Sequence, residues 1–541
     1  MPARRAILRA VALALLGVVI GAAYVVSGLT RPINFHDEGF PVYAALRVLE
    51  GEVPYRDFWT IHPPGQWYTL AAVFKVFGLS LLVERIWDAV IRVTFLAVLC
   101  VFAARVTSPR AALAPGIVML VYLGVTPFYA YMMFPALLWS MLSGLCLLAY
   151  AVAPRRRWLL AAGACVGLTA LYRHDVAFYA AATGIVTLVA RAAVGRGRAA
   201  GLVRPVGPFV GGIAAVVVPA AAILVSMVPA ATLWRLLFVY PSRLVGGVRS
   251  LPLPSLLVNP LLALQGEEYL KAYLSLVFEG WIPFYFPLLT YGLGGAVSVG
   301  ILARAARGDE PGARGWGTLW LTLFGALLYV QALSRADAIH LMPTSLVAMV
   351  LLTAVAWWGW HAVSSPAMLT ALCLALPLLS ISMFWMPAMD WVARTYRGWP
   401  PNCSRSLERA RCMPLRADEA AIIQLVQGLV PPGERIFVGH GRHDRIFLTD
   451  VLFYFVSGRD SATRYFSLEP GVATTEAVQQ EIVQELARHR VRIIVLYSPL
   501  NPFIEPNESG RSSGVTVLDD YIRSTYRKGW VSGEYSVWEK I

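Results

Sequence analysis

Four short stretches of the chain gather acids, histidines and arginines: His36-Asp37-Glu38, Asp57 with His62, Arg173-His174-Asp175, and Arg335 with Asp337 and His340. They hold four of the eight histidines, each within a few residues of an acid. An adjacent carboxylate pair such as Asp37 and Glu38 suits general-base work, taking a proton from a hydroxyl or amine as it attacks. Imidazole and guanidinium groups suit an anionic leaving group, because charge-assisted hydrogen bonds to phosphate are the strong ones. His62 opens the run His62-Pro63-Pro64-Gly65. Proline fixes its own backbone and restricts the residue before it, so this turn is stiff and holds the imidazole in a set direction. Each stretch taken singly also fits a blander role: Asp37 as a helix cap, Arg173 with Asp175 as the closure of a helical hairpin, the rest as solvated loop. His36, His62, His174 and His340 supply metal-ligand types without metal-ligand spacing. A divalent cation bridging carboxylate and phosphate is chemically compatible with them. Neither a Walker loop nor a strand-bound GxGxxG fingerprint is present.

The elements that position these stretches belong to a membrane protein. Hydrophobic residues make up 57% of the 541 residues and charged residues 14%, with a mean hydropathy of +0.60. A soluble domain is about one-quarter charged, so an ordinary soluble enzyme and a disordered chain are both excluded. Six cysteines are too few for a disulfide scaffold of this length. A span needs about 20 mostly apolar residues. Eleven segments qualify: roughly 7–29, 83–104, 110–127, 132–152, 157–172, 176–195, 205–230, 280–303, 316–333, 339–361 and 366–388. The first is too long for a cleaved leader and reads as a helix.

The net charge of +14 is an orientation signal rather than a nucleic-acid footprint. Arg4, Arg5 and Arg9 precede the first span; Arg105, Arg110, Arg155, Arg156, Arg157, Arg191, Arg196, Arg198, Arg204, Arg304, Arg307 and Arg314 lie in loops that alternate onto the same side. The positive-inside rule makes that side cytoplasmic, the N-terminus with it. Eleven spans then place the C-terminal segment outside, and all four polar stretches fall on that outer face. Ionisable groups at membrane boundaries are costly unless they face water or partners, which makes them functional candidates.

Residues 31–80 form the first outer loop, with short amphipathic helices expected over Phe40 to Leu49 and Trp67 to Phe77 around the His62 turn. Residues 234–276 are the longest non-apolar stretch of the membrane half. With four prolines between Pro241 and Pro260 they read as a lid or binding loop, offering Tyr240, Arg243 and Arg249 as contacts, or as an ordinary surface loop. The composition changes near Asp390, dividing the chain into a membrane domain over 1–389 and an α/β domain over 390–541. In the latter, helical patterns at Asp418 to Val430, Thr474 to Arg488 and Val515 to Tyr526 alternate with strands at Arg435 to Val438, Val491 to Tyr497 and Glu534 to Trp538. Gly439-His440-Gly441, His443-Asp444 and the run Arg459 to Arg464 read first as ordinary turns and surface.

An acid pair after the first span, two short helices and a Pro-Pro turn resemble the GT-C membrane glycosyltransferases. The nearest branch is the bacterial one of lipid A aminoarabinose transferases, protein O-mannosyltransferases and rhizobial lipopolysaccharide galacturonosyltransferases. The family's Asp-Glu pair is matched by Asp37 and Glu38, and its Lys-Pro-Pro type turn by His62-Pro63-Pro64. Histidine in place of lysine makes a phosphate-binding role there dependent on pH. Arg335, Asp337 and His340 match an Arg-x-Asp-x-x-His group of relatives. The resemblance implies a mainly helical GT-C-type fold of about eleven spans with an outer α/β domain. It also implies transfer of a hexose or pentose from a polyprenyl-phosphate donor to a lipid, glycan or protein acceptor, outside a bacterial plasma membrane. Asp37 and Glu38 would be catalytic, and His62, Arg173, His174, Asp175, Arg335, Asp337 and His340 would bind the donor. The outer domain would dock the acceptor or act as scaffold. Outside the cytoplasm, Cys403 and Cys412 could pair as a disulfide or stay as two thiols. Two competing classes are a transporter or flippase with a proton relay, expected to show internal repeats and mid-span ionisable groups, and an O-antigen polymerase or ligase.

Overall fold

A computed structural model describes residues 29, 33–109, 111–125, 129–194, 204–254, 281–360, 407–411, 413–500 and 504–541. The expected spans 7–29 and 366–388, the domain boundary at 390, and Cys403 and Cys412 lie outside them. Two short helices come first, α1 Gly39–Leu49 and α2 Gly65–Phe77. The bundle follows: α3 Leu81–Val106, α4 Leu113–Val125, α5 Met133–Val152, α6 Arg156–Tyr172, α7 His174–Val194, α8 Val206–Met227, α9 Ile282–Ala306, α10 Gly312–Ala332 and α11 Ala338–Trp360. Among the described residues, six helices are long and apolar enough to cross a membrane, and they make this a multi-pass membrane protein. Within the segment expected to span at 110–127, residues Leu113–Val125 are helical.

Two features fix the bundle. Ser80 caps α3, its hydroxyl accepting a bond from the Val83 N–H at 3.3 Å. Between α6 and α8 the backbones touch at glycines: a Cβ on Gly163 would lie 1.9 Å from the Phe209 carbonyl oxygen, and one on Gly212 2.2 Å from that of Leu160. Small residues that let helices approach this closely replace the hydrophobic drive that lipid removes. Helices run up and down, so the four polar stretches meet at one end of the bundle. Arg105, Arg156, Arg191, Arg304 and Arg314 mark the other end.

The stretch expected as a loop from residue 234 is helical through Val248. It runs Ala230–Trp234, a π-helical Arg235–Val239, Tyr240–Arg243 and a second π-helical turn, Leu244–Val248. Pro241 and the neighbouring glycines suggest a loop, but Leu236, Leu244 and Tyr240 pack on Trp59, Tyr465 and Leu468, and that burial overrides local propensity.

The C-terminal residues form a five-stranded sheet of order β2-β1-β3-β5-β4. Its strands are β1 Arg435–His440, β2 Asp460–Ser461, β3 Ile493–Tyr497, β4 Tyr526–Ser532 and β5 Tyr535–Lys540. β1 pairs in parallel with β2 and β3, in register Val438 with Val495, and β5 runs antiparallel between β3 and β4. Helices α12 Ala417–Leu429, α13 Leu452–Ser457, α14 Glu476–Arg488 and α15 Val517–Thr525 cover it. β3 is wholly buried, as a strand covered on both faces should be.

This domain and the first outer loop share one core. Val42, Trp67 and Phe74 pack with Leu452, Phe455 and Phe466. Tyr43 stacks on Tyr454 at 4.9 Å, and its hydroxyl accepts a bond from the Ser461 N–H at 2.6 Å. The Phe35 carbonyl accepts from the Leu452 N–H at 3.0 Å. The loop carrying Asp37 is thereby clamped between bundle and sheet.

Candidate active site

The adjacent acids Asp37 and Glu38 point into different worlds. Glu38 is wholly buried, as is Arg85 of α3. Arg85 Nε and Nη2 donate to the two Glu38 oxygens at 2.6 and 2.9 Å, and Nη1 donates to the Leu29 carbonyl at 2.7 Å. Two turns along α3, Arg92 Nε donates to Asp88 at 2.5 Å. Both guanidinium groups lie over the Tyr129 ring, at 4.2 and 5.2 Å. Glu38 is thus a structural anchor. Asp37 is exposed, and among the described residues its carboxylate accepts only from the Asn34 side-chain amide, at 2.8 Å. It makes no cap on α1, so the capping alternative fails.

The His62 turn sits beside the α6–α7 junction because Gly65 allows it. A Cβ there would lie 2.4 Å from the Leu171 carbonyl oxygen. The turn is held from below by Tyr55, whose hydroxyl donates to the His62 carbonyl at 2.6 Å and whose φ of 71° lies in the left-handed region that side chains avoid. Burial pushes the His62 imidazole down to about 4, and the nearby Arg173 charge acts in the same direction. The ring is therefore neutral at physiological pH, a hydrogen-bonding group rather than a cation. Arg173 binds Asp175 through Nε and Nη2 at 2.9 and 2.5 Å. His174 packs against Phe238 with ring centroids 5.0 Å apart, and its Nδ1 is buried without a partner among the described residues.

Arg335 is committed elsewhere. Nε donates to Asp337 at 2.7 Å, Nη1 to the Arg249 carbonyl at 2.8 Å, and both terminal nitrogens grip Glu505 of the sheet domain. Asp337 caps α11, accepting from the Ile339 and His340 N–H groups, both at 3.0 Å, and pairs with His340 Nδ1 at 2.8 Å. Burial opposes its ionisation, but the bonds from His340 and the charge of Arg335 hold Asp337 at about 2. The group sensed as Arg335, Asp337 and His340 is a strut between bundle and sheet. Arg249 binds Glu469 at 2.9 Å, and His36 lies 4.0 Å from the same carboxylate. Tyr240 packs edge-on to Trp59, and Arg243 is exposed with no partner among the described residues. Asp57 closes its own turn through the Val53 N–H and Arg56, away from the cluster.

One residue ties the cluster together. Burial pushes the Tyr131 phenol up to about 12, and it lies within electrostatic range of Arg173, Asp337, Asp37 and Asp175. It follows Ala130, whose φ of 47° is again left-handed. Asp37, Arg173 with Asp175, and Asp337 therefore face one region at the sheet-domain end of the bundle.

No protein-family model matches the chain, and no curated protein sequence does. Solved structures do. ArnT from Cupriavidus metallidurans bound to undecaprenyl phosphate aligns over 99% of this chain and 98% of its own, at 16% identity and a TM-score of 0.50. The apo form of ArnT from the same organism aligns over 100% and 99%, at 15% identity and a TM-score of 0.50. The chain has the GT-C fold.

Within this GT-C fold, sequence reasoning missed Arg85, Asp88 and Arg92, Tyr131, Glu469 and Glu505. The first three repeat at helical spacing inside an apolar segment, which is a legible signal for paired charges. Tyr131, Glu469 and Glu505 carry no local signal, because distant segments bring them to the site. Among the described residues no three His, Cys, Asp or Glu side chains converge as a metal site.

Proposed function

We propose that this protein transfers a hexose or pentose from a polyprenyl-phosphate donor to a membrane-associated lipid, glycan or protein acceptor, at the sheet-domain face of the membrane. One observation carries the reading. Glu38, Asp57, Asp175, Asp337, Glu469 and Glu505 are each bound to an arginine, whereas the Asp37 carboxylate has no cationic partner among the described residues and is exposed. A general base needs such a free carboxylate.

The acceptor hydroxyl or amine attacks the anomeric carbon of the sugar while Asp37 takes its proton. The bond from that carbon to the phosphate oxygen breaks, and its electron pair leaves with the polyprenyl phosphate. Arg173, partly exposed and oriented by Asp175, neutralises the developing phosphate charge. Neutral His62 adds a directed hydrogen bond rather than a second charge. Undecaprenyl phosphate in the ArnT structure supports a donor of this lipid class. Arginines at the opposite end of the bundle favour an extracytoplasmic sheet domain in a bacterial plasma membrane. Arg173→Ala should weaken binding of undecaprenyl phosphate at least tenfold, read by native mass spectrometry of the purified protein. Unchanged binding in Arg173→Ala would move the phosphate to another cation, Arg243 first.

A further inference from the structure

The sheet carries a crevice that the reaction above does not use. From β1 the chain crosses to β2 on one side, and from β2 it crosses back over β1 to β3 on the other. Neighbouring parallel strands whose connections leave in opposite directions open a gap at their carboxyl ends, where open α/β sheets bind ligands. Here the gap is a cavity of about 390 Å³, lined by His440 from the end of β1, Tyr497 and Ser498 from the end of β3, Arg445, Phe35 and Glu505 among others. That size falls within the roughly 300–1,000 Å³ of small-ligand sites.

Its chemistry is lopsided. Glu505 is spent on Arg335, and the neighbouring Arg442 is paired with Asp444. Arg445, half-buried on the wall, has no hydrogen bond or ion pair among the described residues. His440 is buried, with Nδ1 3.1 Å from the Arg442 carbonyl oxygen, and its Nε2 has no hydrogen bond among the described residues. The floor needs glycine: a Cβ on Gly441 would lie 1.9 Å from Ser498 Oγ. Phe35 and Tyr497 meet edge to face at 5.2 Å and form an aromatic wall. Phe35 is two residues from Asp37, and Glu505 grips the strut beside the reaction region.

We propose that this crevice binds an anionic saccharide of the acceptor, its phosphate or carboxylate held by Arg445 and its ring face laid on Phe35 and Tyr497. The word acceptor rests on the transferase reading; the ligand class does not. The test uses the full chain in detergent without any donor, and saturation-transfer NMR with glucose 6-phosphate and methyl glucoside, with inorganic phosphate titrated as a competitor of glucose 6-phosphate. Glucose 6-phosphate should bind, at least tenfold tighter than either methyl glucoside or inorganic phosphate, and Arg445→Ala should weaken it at least tenfold. Arg445 has no hydrogen bond or ion pair among the described residues, so Arg445→Ala should keep the parent's thermal midpoint. No binding of glucose 6-phosphate, equal binding of methyl glucoside or inorganic phosphate, or unchanged binding in Arg445→Ala overturns the proposal. Binding without any transfer activity would keep the crevice and sink the transferase reading. Transfer with an unchanged acceptor KM in Arg445→Ala would do the reverse.

Discussion

Changing Glu38 to Gln separates the two acids of the pair by their effect on stability. Glu38 and Arg85 are both 0% exposed and joined by two hydrogen bonds. Glutamine keeps one acceptor oxygen but turns an amide N–H₂ toward a guanidinium N–H, so one bond becomes a clash of donors. Arg85 keeps its bond to the Leu29 carbonyl but loses the negative charge that its guanidinium was bound to through two nitrogens. Removing one partner of such a pair costs about 3–5 kcal/mol. Glu38→Gln should therefore lower the thermal midpoint of the purified protein clearly, in one detergent at one scan rate. Arg85→Met should do the same, and Glu38→Met with Arg85→Met should recover most of the loss, because no buried charge is stranded. Asp37→Asn, at an exposed position whose carboxylate is held among the described residues by Asn34, should stay within about 0.5 kcal/mol of the parent. A Glu38→Gln protein as stable as the parent, or single effects that simply add in the double variant, would refute the anchor.

Three further outcomes follow from the His62 turn. Tyr55→Phe removes the bond to the His62 carbonyl, about 1 kcal/mol, and should raise the donor KM several-fold with little change in kcat. Gly65→Ala pushes a Cβ into the Leu171 carbonyl; overpacking of this kind costs about 1–3 kcal/mol, and donor binding should weaken with it, read by thermal midpoint and native mass spectrometry. Because burial holds His62 near 4 in the folded protein, the unfolded chain binds its proton first as pH falls. Stability should therefore decline between pH about 6.5 and 4, and His62→Gln should flatten that decline, followed as the thermal midpoint against pH.

Much of the fold was legible because burial repeats with the period of each element. The bundle helices and the alternation of helix and strand after Ala417 follow the apolar pattern closely. β4 does not, since Tyr526–Ser532 is an exposed edge strand bearing Arg527 and Lys528, with a bulge between Lys528 and Trp530. The helix through Val248 was hidden by Pro241 and two glycines, whose preferences are outweighed by packing on Trp59 and Tyr465. At the site, sequence identifies which residue types gather at one end of the bundle but not which charges are spent. Arg335 reads as free because Glu505 arrives from 170 positions away. Asp37 and Glu38 look equivalent until Arg85 is seen to hold one and not the other.

The most direct measurement is transfer itself: purified protein incubated with a panel of polyprenyl-phosphate hexoses and pentoses and membrane acceptors, with released polyprenyl phosphate quantified for the parent and for Asp37→Asn. The account predicts release that depends on the acceptor in the parent, and release at least a hundredfold slower in Asp37→Asn, roughly the scale of a lost general base, at an unchanged thermal midpoint. Near-parental release by a well-folded Asp37→Asn protein would contradict it.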